Sequence, residues 1–301
     1  MNHKILFPSL NLHTKFEYSL IAIIASSIMW SLDPLLYITF PKSYNVDLLS
    51  SLALFRSAYA FVIGFSILFP TTHRFLVHNF EKYRDIESSQ KKIVVLHHFV
   101  EFLALSIIFP IFTYYMVRTF LQSHDIEIMR SNLISLAELC IVIMMMYCME
   151  LASRIENVRP MVVCHHLLAT TDGLLVFIFP STVMIKTAIM LVYFVTFEAI
   201  VFLGLFMYRV CPQRKITARV IRIGMSIFAV TRPLQLLLVV APIIASWEDQ
   251  NFVKWHAIMQ IMITLILTVM QLWSLKIHFG ILKRCTDQNS SWKQSKAECN
   301  C

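Results

Sequence analysis

Long apolar stretches alternate with short polar segments along the whole chain. Runs of membrane length occupy residues 17–40, 50–70, 93–117, 131–152, 161–180, 183–208, 223–246 and 255–280. Each is long enough to cross a hydrocarbon core of roughly 30 Å as a helix. A helix also satisfies its own backbone polar groups, which lipid cannot do. The pattern predicts an all-α, polytopic membrane helix bundle of about eight transmembrane helices. Asp33 and Pro34 interrupt the first run, and only a short turn at Pro180 joins the fifth to the sixth, so seven helices is the alternative count. The expected organisation is a cytoplasmic N-terminus over 1–16, a transmembrane bundle over 17–280 and a cytoplasmic tail over 281–301.

Composition agrees with lipid as the solvent. Of 301 residues, 57% are hydrophobic and 15% charged, and the mean hydropathy is +0.67, whereas a soluble chain carries roughly a quarter charged residues. The basic residues set the orientation, because short cytoplasmic loops hold the Lys and Arg excess. One set of alternate segments carries Lys4 and Lys15, then Arg74, Lys82, Arg84, Lys91 and Lys92, then Arg154 and Arg159, then Arg209, Arg214, Lys215, Arg219 and Arg222, then Lys283, Arg284, Lys293 and Lys296. The other set carries only Lys42, Arg118, Arg130, Lys186 and Lys254. Both termini are therefore expected in the cytoplasm. The formal net charge of +8 is spread over juxtamembrane loops without a nucleic-acid-binding motif, so its expected partners are anionic lipid headgroups at the cytosolic face, not nucleic acid. The first sixteen residues are polar and lack a cleavage site, and the first apolar run is expected to stay as an anchor.

The seven cysteines do not form a disulfide framework. Cys140, Cys148 and Cys164 fall within predicted helices, while Cys211, Cys285, Cys299 and Cys301 sit at cytoplasmic positions open to lipidation, although no prenylation box closes the chain. Glycine is scarce, at 5 residues, which leaves little material for the unwound helices of transporters. Asn289-Ser290-Ser291 is a glycosylation sequon in the expected cytoplasmic tail.

Ionisable groups inside apolar spans cost about 2.5 to 3.5 kcal/mol each on insertion scales, so each needs a partner or a purpose. The candidates are Asp33, Arg56, His97, His98, Glu101, Glu138, Glu150, His165, His166, Asp172, Glu198 and Arg232. The doublets His97-His98 and His165-His166 each lie about one turn inside a helix entering from the cytosol. His97 and Glu101 are four apart, Glu150 and Arg154 are four apart, and His165 and Asp172 are seven apart, so each pair shares a helical face. Adjacent histidines point about 100° apart, so one member of each doublet faces a given pocket and the other bonds a neighbouring helix. A neutral-range base beside a buried carboxylate suits proton transfer, which makes His165, His166 and Asp172 the catalytic candidates. His97, His98, Glu101, Glu150, Arg154, Glu198 and Arg232 are the substrate-binding candidates. Asp33, Arg56 and Glu138 read as packing or topological charges. No two of these histidines are three or four residues apart, the spacing that sets two ligands on one helix face, so no metal site is expected.

The run YCMELASRIENVRPMVVCHHLLATTD, from Tyr147 to Asp172, resembles the core of the TLC-domain family of membrane proteins, which includes ceramide synthases. That family shows an acidic residue late in one helix, a short basic cytosolic turn and a His-His doublet opening the next helix. Here these look like Glu150, Arg154 to Arg159, and His165-His166, with Glu198 and Arg232 compatible further on. The longer polar signature of the synthases is missing, since Phe177 to Lys186 is nearly all apolar, and the chain is more similar to the non-synthase members. The resemblance implies a protein of the endoplasmic reticulum, with His165 and His166 as base or nucleophile and Asp172 as an orienting group.

The expectation is thus a multi-pass protein that handles long-chain lipids in a cytosol-facing pocket. Its sharpest form is ceramide-synthase-like acyl transfer, with no resident cofactor and acyl-coenzyme A as co-substrate. A non-enzymatic lipid-binding or membrane-composition regulator is one alternative, and an orphan multispanning receptor or transporter is another. A homodimer is left open as the assembly.

Overall fold

The computed structural model describes residues 46–121, 126–154, 160–178, 182–212, 215–245, 247 and 254–298. The predicted first span at 17–40 lies outside them, as do Asp33 and the N-terminal segment, and the side chains of Arg56 and Arg154 are also outside the description. The described residues are all-helical, with no strand. In chain order the helices are α1 (Val46–Asn79), α2 (Glu81–Arg84), α3 (Ser89–Leu121), α4 (Ile126–Arg154), α5 (Pro160–Ile178), α6 (Thr182–Thr196), α7 (Ala199–Val210), α8 (Lys215–Ala245) and α9 (Lys254–Glu298).

Six stretches among the described residues are long and apolar enough to cross a membrane: Ala60–Asn79, Ser89–Thr119, Ser135–Ser153, Thr187–Val210, Lys215–Ala245 and Ala257–Asp287. They mark the chain as an integral membrane protein. Large apolar side chains such as Ile107, Val230, Leu237, Ile244 and Val269 are exposed along these helices; in water they would be a liability, and in a bilayer they face lipid. Prolines are tolerated at Pro70, Pro110, Pro233 and Pro242 inside long helices, where neighbouring helices can compensate the lost backbone bond.

The chain divides into two compact units, 1–71 and 72–301, with the division inside α1. In the first unit, Phe61, Phe65 and Phe69 form an aromatic ladder on one face of α1, with ring centroids 5.6 and 4.9 Å apart. The second unit is a helical bundle around α6 and α7. Within an 18-residue window of the stretch Thr187–Val210, 56% of residues are buried, against 33–39% in the corresponding windows of the other four spans of this unit, which puts it at the centre. Helix α6 meets α3, α4, α5 and α8, while α7 packs on α3 and α8.

The crossing of α7 and α8 is backbone to backbone. A Cβ on Gly204 would lie 3.3 Å from the Cα of Ile221, and one on Gly224 would lie 3.3 Å from both N and Cα of Val201. Two of the five glycines thus serve one contact, in the manner of small-residue helix interfaces in membranes. Along α8, the apolar cluster of Ala218, Ile221 and Met225 with Cys285 of α9 lies on one side of a polar layer. The cluster of Val239 and Ile243 with Leu191 and Ala257 lies on the other.

Helix α9 runs without a break through 45 residues to Glu298 and absorbs most of the expected tail. Beyond Gly280 there is neither glycine nor proline to stop it.

Candidate functional site

The polar layer is assembled from α3, α4, α5, α8 and the junction of α6 with α7. Its centre is a buried histidine–carboxylate pair. His166 on α5 and Glu150 near the end of α4 are both buried, with His166 Nε2 2.6 Å from Glu150 Oε2. Tyr147, one turn before Glu150, stacks on the His166 ring at 4.5 Å and 19°. The i, i+3 spacing of Tyr147 and Glu150 presents both to the same neighbour, so one turn of α4 supplies a hydrogen-bonding partner and a cover for one imidazole.

His165 points differently, as adjacent positions on a helix must. It is half-buried, its ring is 6.0 Å from Tyr147 and 5.4 Å from His166, and its Nδ1 has no hydrogen-bond partner among the described residues. The other doublet also divides its work. His97 Nε2 is 2.5 Å from Ser153 Oγ on α4, and Ser153 Oγ donates to the Glu150 carbonyl at 3.0 Å. His98 Nδ1 lies 3.6 Å from Glu101 Oε2 and its ring stacks on Phe202 of α7. The His97-Glu101 spacing in the sequence is thus joined by a His98–Glu101 contact at i, i+3, with His97 tied across to α4.

Arg232 of α8 is completely buried. It donates to Glu198 Oε1 and, through Nη1, to Gln235 Oε1 at 2.6 Å, and it lies 4.4 Å over the Phe228 ring. Gln235 in turn donates to the Leu191 carbonyl at 3.5 Å. A charge this deep is tolerable only when paired and hydrogen-bonded on several sides. Glu198 sits where the central span breaks: α6 ends at Thr196 and α7 begins at Ala199, and the Glu198 amide bonds the Val195 carbonyl three residues back at 2.9 Å. Such tightened turns inside long helices mark functional or strained positions. Glu198, Arg232 and Glu101 all lie within electrostatic reach of Tyr147, and Arg232 within reach of His165. The two charge pairs and the tyrosine therefore belong to one cluster.

Asp172 is buried on α5 but touches neither histidine, and its Oδ1 has no hydrogen-bond partner among the described residues. Seven residues share a helix face but separate the side chains by about 10 Å along the axis, and the carboxylate bonded to His166 is that of Glu150. Tyr147, Ser153 and Gln235 are further members that the search for charged groups passes over. Their signal is local, since each lies three residues from a charged candidate on the same helix. Glu138 is half-buried on α4, well up the helix from Tyr147 and Glu150.

Compared with family models, with curated proteins and with solved structures, the chain matches none of them.

Proposed function

We propose that this protein is a multi-pass membrane protein that handles a long-chain lipid at the polar cluster, with acyl transfer from acyl-coenzyme A as its reaction. The observation that carries the reading is the Glu150–His166 pair, set one to two turns inside the helix ends that bear the basic loops. In this scheme the carboxylate holds Nε2 and stabilises the imidazolium, which leaves Nδ1 to take the proton of an amine or hydroxyl acceptor. The acceptor attacks the thioester carbonyl, the C–S bond breaks, and the proton returns to the coenzyme A thiolate. His165 and the deeper Asp172 supply polar partners along the acceptor, and Arg232 with Glu198 closes the inner end. The basic loops attract the coenzyme A phosphates from the cytosol. Relationship to the TLC-domain family, and residence in the endoplasmic reticulum, belong to the same proposal and rest on the Tyr147–Asp172 run.

A second reading has its own support. Tyr147 covers one face of His166, and both members of the dyad are almost fully buried, an arrangement that suits a lipid-binding or regulatory protein whose polar groups grip a headgroup without turnover. The purified chain, reconstituted with radiolabelled acyl-coenzyme A and a sphingoid amine, separates the two. Labelled amide that disappears in His166→Ala supports the enzyme, and tightly held lipid without labelled product supports the binder.

A further inference from the structure

At the end of α1 the chain turns into the short α2, and this corner concentrates cations that take no part in the His166 and Arg232 cluster. His73, Arg74, Val77 and His78 on the last turns of α1, together with Arg84 of α2, line a cavity of about 550 Å³. The spacing 73/77 and 74/78 gathers the α1 members onto one side of the helix. Among the described residues that line the cavity there is no carboxylate. The nearest acids to Arg84 are Glu81 and Asp85, at 3.7 and 3.9 Å, and all three side chains are more than half exposed, where ion pairs are weak and easily exchanged.

The corner is built, not a loose run of charge. Tyr83 is completely buried, with its hydroxyl 2.8 Å from His73 Nδ1 and the two rings edge to face at 5.7 Å. Burial raises the Tyr83 phenol well above its ordinary range, so it stays protonated and its hydrogen bond holds the His73 ring in place. Phe80 anchors the turn against Phe206 of α7, edge to face at 5.7 Å. The four α1 residues of the cavity occupy the last turns of the membrane-length stretch Ala60–Asn79, and Arg84 lies just beyond its end.

We propose that this cavity binds a phosphate group carried on an organic ester, gripped by Arg74 and Arg84 with the two histidines as further donors. Guanidinium forks match phosphate oxygens in pairs, and two forks with two imidazoles suit a phosphomonoester better than a carboxylate. The same chemistry is offered by an anionic lipid such as phosphatidic acid and by a soluble cofactor phosphate such as that of coenzyme A. The proposal stands independently of acyl transfer, because its readout is binding and not turnover.

The test is equilibrium binding to the full chain in neutral detergent, followed by native mass spectrometry and thermal shift. The probes are dihexanoyl phosphatidic acid, coenzyme A and, as a zwitterionic control, dihexanoyl phosphatidylcholine. One of the first two is expected to form a one-to-one complex, weakened about tenfold or more in the pair Arg74→Gln, Arg84→Gln. Binding of phosphatidic acid alone assigns the site to a lipid headgroup, and binding of coenzyme A alone to a soluble phosphate. Failure of both probes to bind wild type overturns the proposal. So does an equal loss in the control pair Lys91→Gln, Lys92→Gln outside the cavity, which would mean diffuse attraction. If the double arginine variant aggregates, Arg84→Gln alone carries the comparison, and unchanged affinity there is equally fatal.

Discussion

At the scale of single residues, Arg232 and Glu198 impose the strictest demand. Removing one partner of a buried ion pair strands the other in a low-dielectric interior, at about 3 to 5 kcal/mol. Arg232→Leu is therefore expected to lower the thermal unfolding midpoint sharply, and the double variant Arg232→Leu, Glu198→Leu to recover most of the loss, because apolar replacement of both partners is often neutral. Equal damage from the single and double variants would mean that the pair is not the source of the effect. For Glu150→Gln the expectation differs: the side chain keeps its shape and its ability to bond, but loses the charge that stabilises an imidazolium. Under the proposed acyl transfer, turnover should fall on the order of a hundredfold while the midpoint moves little, in a matched activity and melting series.

Much of this residue-level cluster was legible in the sequence, since charged groups in apolar spans announce themselves. The partners were not. Helical spacing relates residues within one helix, so it pairs His165 with Asp172 and His97 with Glu101, yet the contacts of His166 with Glu150 and of Arg232 with Glu198 cross between helices and depend on packing. Tyr147, Ser153 and Gln235 carry no charge and are set in place only by that packing.

At the scale of elements, the glycines separate contact from bystander. Gly224 meets the backbone of Val201, whereas Gly280 on α9 has nothing within 4 Å of where its Cβ would be. Gly224→Leu is expected to force α7 and α8 apart and to abolish a monodisperse elution profile. Gly280→Ala should be neutral or stabilising by about 0.5 to 1 kcal/mol, the intrinsic helix advantage of alanine. Size-exclusion and melting of the two variants check this, and a tolerated Gly224→Leu would contradict the close crossing. The apolar runs at 93–117, 131–152, 183–208, 223–246 and 255–280 each overlap most of a membrane-length stretch, because lipid demands long uninterrupted hydrophobic segments, whereas the run at 161–180 is the helix α5 but is not among the six. The break at Glu198 and the unbroken continuation of α9 past 280 were not visible. The first interrupts an apolar run without glycine or proline, and the second extends a helix through a polar sequence whose only credential is the absence of a breaker.

At the scale of the whole molecule, the proposal takes from the charge alternation that the basic loops, the helix ends around the His166 dyad and the C-terminal end of α9 share the cytosolic side. The sequon at Asn289 reports on this directly. It is expected to remain without glycan when the chain is expressed in eukaryotic cells, and a mobility shift reversed by glycosidase would place that end in the lumen and remove coenzyme A from reach of the dyad. A neutral zwitterionic bilayer should also bind the basic face less well than one containing anionic lipid.

The central question is whether the cluster transforms lipid. The most direct measurement compares membranes expressing wild type with membranes expressing His165→Ala, His166→Ala at matched abundance, supplied with labelled acyl-coenzyme A and resolved by lipid mass spectrometry. A labelled lipid present with wild type and absent with the double variant is the predicted result, and identical lipid profiles from the two membranes would contradict acyl transfer at this site.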